Sequence, residues 1–326
     1  MTETFASYSL VAIYSAMAVY VIAFIFFTLD LAKRSAETTA KTAPASEGAA
    51  AQARAGGTIA TLERQRTTTT TASEAGPAPR RLERTAFALT ALAWVLHVAG
   101  AVFRGLADGH VPWSNMFEFS LVSSGIVVGV FLILQFWQNL RFLGTYITGF
   151  TLVVLGVGTV NFYVAVTPLP PALQSYWLVI HVFVATLGTA FFGVGAGLSI
   201  VQLLQTRREA DRLSGMRFLG TLPTAEKLEN LAYRVIVVGF VFWTFTLIAG
   251  SIWAERAWGR YWGWDTKEVW TFIIWVLFAG YIHARATRGW RGTRSAWLAL
   301  VGMGAVAFNY TIVNLFFKGL HVYSGL

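Results

Sequence analysis

The chain of 326 residues is 56% hydrophobic, 15% aromatic and only 13% charged, with a mean hydropathy of +0.57, which excludes a water-soluble domain. Its net charge of +9 comes from basic residues in loops between apolar runs, a topological pattern and not a nucleic-acid-binding face. With no cysteine there is no disulfide, thiolate metal site or thiol redox chemistry in this chain, so any work on thiols falls on a partner's cysteines.

Apolar runs of about 20 residues match the hydrocarbon thickness of a bilayer. The first, near 8–29, follows Glu3 and precedes Lys33 and Arg34. That charge order is the reverse of a cleavable signal peptide, so a retained first transmembrane helix over 1–31 is expected, with its N-terminus outside. Residues 32–84 are rich in Ala, Thr, Glu, Gly and Arg and poor in large apolar residues. Such a stretch cannot bury enough surface to offset its ordering entropy and reads as a disordered cytoplasmic linker.

Further spans are expected near 85–106, 116–137, 142–164, 177–204, 231–253, 269–286 and 295–317. Pro168, Pro170 and Pro171 break the chain between the fourth and fifth of the eight. The expected fold is all-α: a polytopic helical membrane protein of about eight transmembrane helices, both termini extracytoplasmic, with 85–326 as one transmembrane domain. Basic clusters at Arg80, Arg81 and Arg84, at Arg207 to Lys227, and at Arg285, Arg288, Arg291 and Arg294 then fall inside. Arg256, Arg260, Lys267 and Lys318 remain outside.

The most distinctive stretch is 258–270, WGRYWGWDTKEVW, between two apolar runs. It contains Trp258, Tyr261, Trp262, Trp264 and Trp270. An aromatic belt at headgroup depth is the plain reading. A belt needs one ring per helix end, however, and this density of rings among glycines points to a platform for a large, flat, apolar ligand. Asp265 and Glu268, ahead of an apolar run, have the form of a capping box, a role compatible with positioning the rings.

His181 is expected close to the outer end of its helix and His321 just beyond the outer end of the last, so both are level with the platform. Two neutral imidazoles beside an aromatic shelf make a possible axial pair for a haem iron. His283 lies ~22 Å along the helix from Glu268, in the inner half of the membrane, where an ionisable residue is costly and a functional candidate. His97 falls near mid-membrane, with a helix-to-helix hydrogen bond as its expected role, and His110 reads as structural or solvated.

The platform motif, with these histidines, SYWLVIHV around His181, GHVPWSNMFEF over 109–119 and GLHVYSG near the C-terminus, resembles the tryptophan-rich "WWD" haem-handling membrane proteins. Among them it is most similar to the CcsA/ResC type of the System II cytochrome c maturation pathway. The resemblance implies His181 and His321 as axial ligands of an outer haem, and His283 as one ligand of an inner haem whose other ligand lies on a ResB/Ccs1-type partner. It implies haem b as transported substrate, held near Trp258, Tyr261, Trp262, Trp264 and Asp265, with Arg260 or Lys267 on its propionates. Other implied partners are an apocytochrome c with Cys-x-x-Cys-His, whose thiols add to the haem vinyls, and thiol-reducing proteins outside. The chain would be the haem-presenting subunit of a holocytochrome c synthase (haem lyase) in a bacterial plasma membrane. Phe119 departs from the family's small residue at that position, and the linker has no family counterpart. Alternatives are a System I CcmC-like haem exporter and a quinone-binding or transporter subunit.

Overall fold

A computed structural model of the protein describes residues 1–42, 80–213, 216–287, 289–317 and 319–321. Positions 43–79 of the expected linker, Arg288, Lys318 and 322–325 of GLHVYSG lie outside the described residues. Every apolar run is helical and no strand occurs among the described residues. The helices are α1 (Thr2–Thr42), α2 (Arg81–Asp108), α3 (Met116–Leu134), α4 (Gly144–Asn161), α5 (Tyr176–Glu209), α6 (Ala225–Trp258), α7 (Thr266–Ala286) and α8 (Thr293–Tyr310). A short α9 (Ile312–Phe316) continues α8, and together they form the last of eight segments long and apolar enough to cross a membrane. The chain is thus a multi-pass helical membrane protein.

Several helices outrun their apolar cores. α1 continues through the first part of the expected linker, and α2 begins at Arg81 inside its other end. The ends of 32–84 are therefore helical, because Ala, Glu, Lys and Arg propagate a helix that the apolar span has already nucleated. α5 and α6 are each 34 residues long. At ~1.5 Å per residue each reaches ~51 Å, well beyond the ~30 Å hydrocarbon layer. α6 consequently carries Trp253 and Trp258 on one continuous helix, where the sequence had suggested an end at Trp253. The last span breaks at Thr311, between α8 and α9.

α1 packs along α2 and α4, while α5 is central, touching α3, α6 and α8, with α7 closing against α6 and α8. Glycines let the bundle close tightly: Gly195 of α5 faces Ile236, and Gly239 of α6 faces Phe192. Phe192 in turn stacks on Phe278 of α7 at 3.6 Å. Where helices approach this closely in lipid, dispersion contacts replace the hydrophobic effect as the main attraction.

The α2–α3 turn is fastened by charge. Glu118 is buried and takes five hydrogen bonds: Arg104 Nε (3.2 Å) and Nη2 (2.8 Å), Asn115 Nδ2 (2.9 Å), and the Ser114 amide (2.9 Å) and hydroxyl (2.7 Å). Asn115 also caps α3 through Glu118 N. Asp108 lies 2.7 Å from Arg104 Nε, an ion contact without hydrogen-bond alignment. The C-terminal segment docks on this corner: Tyr310 and Ser120 hydroxyls are 2.6 Å apart, Asn314 Nδ2 meets Met116 Sδ at 3.3 Å, and Phe119 packs on Tyr310. A bulky Phe119 therefore fills space against the last helix.

Candidate functional site

The histidines of interest gather around one buried tryptophan. Trp253, 1% exposed, donates Nε1–H to the Ala172 carbonyl at 3.1 Å, which ties α6 to the short helical turn Pro171–Leu173 of the proline-rich loop. Leu173, Leu178 and Trp253 form a small apolar cluster with Trp177 and Trp258 at its edge. His181 stacks on one side of Trp253, with centroids 5.7 Å apart and planes 15° from parallel. His321 meets the Trp253 ring edgewise at 5.3 Å and the Trp258 ring at 4.7 Å.

Both imidazoles are held by the same nitrogen. His181 Nδ1 lies 3.1 Å from the Thr246 carbonyl, which only accepts, so Nδ1 carries the proton and Nε2 keeps its lone pair. His321 Nδ1 lies 2.7 Å from Asp265 Oδ2, and the same logic leaves its Nε2 as the free acceptor. Neither Nε2 makes a hydrogen bond among the described residues. An imidazole oriented through N–H by a carbonyl or carboxylate is the usual form of a metal-ligating histidine. Two features make room for this arrangement. Gly250 of α6 approaches His181 so closely that a Cβ would lie 2.8 Å from Cε1, and a Cβ on Gly319 would lie 2.2 Å from Asp265 Oδ1.

Asp265 joins three parts of the chain. It caps α7 through Lys267 N (3.3 Å), accepts Leu320 N (3.0 Å) and orients His321. Burial alone raises its carboxyl pKa, but the hydrogen bond from His321, with those from the two backbone amides, outweighs burial and holds it below the usual carboxylate range. The stability this contact supplies is therefore present above the ordinary carboxylate pKa and lost as pH falls through the lowered value.

Glu268 performs the matching task for the loop before α7. It accepts from the amides of Gly263 (2.8 Å) and Asp265 (3.0 Å) and from Arg260 Nη1 (3.0 Å), completing the capping box expected from the sequence. Arg260 is thereby committed to Glu268 and lies over the Trp258 face at 5.7 Å, so its charge is matched within the fold.

The expected platform divides in two. Trp258 belongs with Trp253 and the histidines. Trp262 and Trp264 pair edge to face at 5.9 Å, with Trp264 77% and Tyr261 64% exposed. Trp264 adopts φ +60°, an uncommon conformation for a bulky residue, and this turns its ring out of the bundle. Trp270, within α7, packs on Phe308 of α8 at 4.4 Å.

The other histidines are elsewhere. His283 lies in the last turn of α7, exposed on the bundle surface, with no hydrogen bond among the described residues. His97 is fully buried, with Nε2 2.8 Å from the Leu121 carbonyl and Tyr20 near Nδ1 at 3.4 Å. That is the helix-to-helix bond expected of it. His110 donates Nδ1–H to the Val111 carbonyl within its turn at 2.9 Å. Two members of the central site escaped the sequence. Trp253 has a weak signal, being a further indole on the helix that delivers Trp258, whereas the Thr246 carbonyl is backbone and has none.

A family model described as "Cytochrome C assembly protein" matches residues 113–321, from the Trp113 turn to His321. The cytochrome c biogenesis protein CcsA of Synechococcus sp. (strain CC9902) is 36% identical over 264 residues, covering 72% of this chain and 85% of that protein. CcsA of Guillardia theta is 35% identical over 240 residues, covering 68% and 80%. Among solved structures, the cytochrome c haem lyase CcmF superposes with a TM-score of 0.60 at 15% identity, a likeness of fold alone. It covers 94% of this chain, which spans 46% of that lyase. On its sequence and the extent of these matches, the chain belongs to the cytochrome c assembly protein family.

Proposed function

We propose that this protein holds haem at the extracytoplasmic membrane surface for thioether attachment to an apocytochrome c, with His181 and His321 as the iron's axial ligands. One observation carries the reading: the two histidines share Trp253 as neighbour, and each is anchored through Nδ1 with Nε2 unengaged. Relatives named for cytochrome c biogenesis support it. The basic loops collect at the opposite end of the bundle, which the positive-inside tendency puts in the cytoplasm, so the histidine end faces out and both termini with it.

In this scheme haem b is cargo. Trp253 and Trp258 supply apolar, low-entropy ring surface beside it, and the exposed Tyr261, Trp262 and Trp264 form the outer lip where an apocytochrome's Cys-x-x-Cys-His approaches. Each substrate thiol adds S–H across a vinyl group, so the absence of cysteine here costs nothing. Asp265 acts through His321. Lys267 is the remaining candidate cation for a propionate, Arg260 being held by Glu268. His283, exposed and unpartnered among the described residues, ligates an inner haem with a residue of a ResB/Ccs1-type partner in the bacterial plasma membrane. The complex acts as a holocytochrome c synthase, with thiol-reducing proteins keeping its substrate reduced.

The test is the visible spectrum of the protein purified with its membrane partner under haem-replete conditions. A bis-histidine Soret band is expected, diminished but not abolished by His283→Ala. Well-folded protein without haem would overturn the reading in favour of a quinone or structural role. Gly250→Ala gives an independent check. Alanine favours the helix by about 1 kcal/mol, yet its Cβ displaces His181, so thermal stability is expected to hold while haem retention falls about 10-fold. Unchanged haem content in Gly250→Ala would argue against His181 as a ligand.

A further inference from the structure

The end of the bundle opposite His181 and His321 contains a cavity of about 230 Å³ that the haem reading does not use. Five segments enclose it: the end of α1, the start of α2, the α3–α4 loop, the stretch after the helical turn Arg217–Thr221, and the first turns of α6. That turn is fastened to α1, where Ser35 Oγ accepts the Phe218 amide at 3.1 Å. The enclosure is therefore part of the fold and not a gap between loose loops.

Its charges are unevenly matched. Arg34, 6% exposed, bonds Asp30 at 2.6 Å and Glu83, so it consumes both buried carboxylates. Glu83, the one acid lining the cavity among the described residues, is further met by Arg80 at 3.4 Å and Arg141 at 4.0 Å. Lys227 also lines it and forms no ion pair among the described residues. Asn139 faces the same space, with its Oδ1 occupied by the Arg141 amide and its Nδ2 left to donate. Phe142 and Leu231 make the apolar side. The cavity therefore offers surplus positive charge and N–H donors on one wall and hydrocarbon on the other.

Its depth narrows the choice of anion. The apolar run of α1 ends one turn before Arg34, so the cavity sits where the hydrocarbon layer gives way to headgroups, at the end that collects the basic loops. We propose that it binds the phosphate of an anionic phospholipid headgroup, with Arg80, Lys227 and Asn139 as donors and Phe142 and Leu231 against the glycerol end. Basic recesses between transmembrane helices recognise lipid phosphates through these contacts. The proposal does not depend on haem.

The experiment uses the full chain in nanodiscs of phosphatidylcholine doped with phosphatidylglycerol, with retained lipid counted by native mass spectrometry. Inorganic phosphate is titrated separately in detergent, with thermal stability as the readout. Wild type is expected to retain phosphatidylglycerol selectively. Arg80→Gln with Lys227→Gln is expected to lower that affinity about 30-fold, at about fivefold per cation removed near an anionic surface. The control, Arg212→Gln with Arg291→Gln, removes equal charge at the same membrane end and is expected to leave it within about twofold. Stabilisation by inorganic phosphate that the cavity variant loses would identify a free oxyanion as a second source of the same chemistry. Equal losses in the two double variants, or no selective retention in wild type, would overturn the proposal.

Discussion

His181→Ala and His321→Ala are each expected to abolish holocytochrome c formation and to remove the outer haem from the purified complex, leaving the His283-dependent haem in place. In the proposed site each iron bond would be made by an Nε2 that has no hydrogen-bond partner among the described residues, and its removal leaves the iron one axial ligand short. Asp265→Asn is the graded case. An amide oxygen can still accept from His321 Nδ1–H at the observed 2.7 Å, but it no longer supplies charge. A loss of about 10- to 100-fold in haem affinity is expected, the usual consequence of removing an orienting carboxylate. Haem titration of apoprotein, followed at the Soret band, separates these outcomes. Wild-type affinity in Asp265→Asn would mean that Asp265 only caps α7 and holds the Leu320 turn.

Glu118→Ala is expected to cost about 3–5 kcal/mol, because it leaves Arg104 buried with only the poorly aligned Asp108 for compensation. The measurement is the fraction of monodisperse protein surviving a temperature series in detergent, with Glu255→Ala as reference. Glu255 meets Arg256 at 3.5 Å on the surface, a pair worth about 0–1 kcal/mol. Glu118→Gln, which keeps the shape and most donors' partners, is expected to fall between the two. The damage should extend to the site, since Tyr310 and Asn314 dock the segment leading to His321 onto Ser120 and Met116 beside this corner. Haem retention in Glu118→Ala should therefore fall at temperatures where the bulk of the bundle still survives. Thermal behaviour like that of Glu255→Ala would remove Glu118 from the list of structural keystones.

The bundle was legible because its signals are local. A span announces itself as a run of apolar residues, and Asp265 with Glu268 spells its cap within four positions. Helix ends were less legible. α1, α2 and α6 all extend past their apolar runs, since polar helix formers at the margins carry no hydropathy signal yet propagate an existing helix. The shelf shows the same limit at the site. Composition placed Trp258, Tyr261, Trp262 and Trp264 in one stretch, but side-chain direction assigns Trp258 to the buried histidine cluster and turns Trp264 outward.

Residue type and order alone established an all-helical membrane chain with a ring-dense surface segment and a small set of histidines, because hydropathy, charge and capping act over neighbouring positions. Which atoms meet was a matter of three-dimensional packing. Asp265 reaches His321 across 56 positions and His181 reaches Thr246 across 65, so neither pairing leaves a trace at any sequence spacing. Trp253 became the centre of the site by the same route, through the crossing of α5 and α6 and the return of the chain after α9.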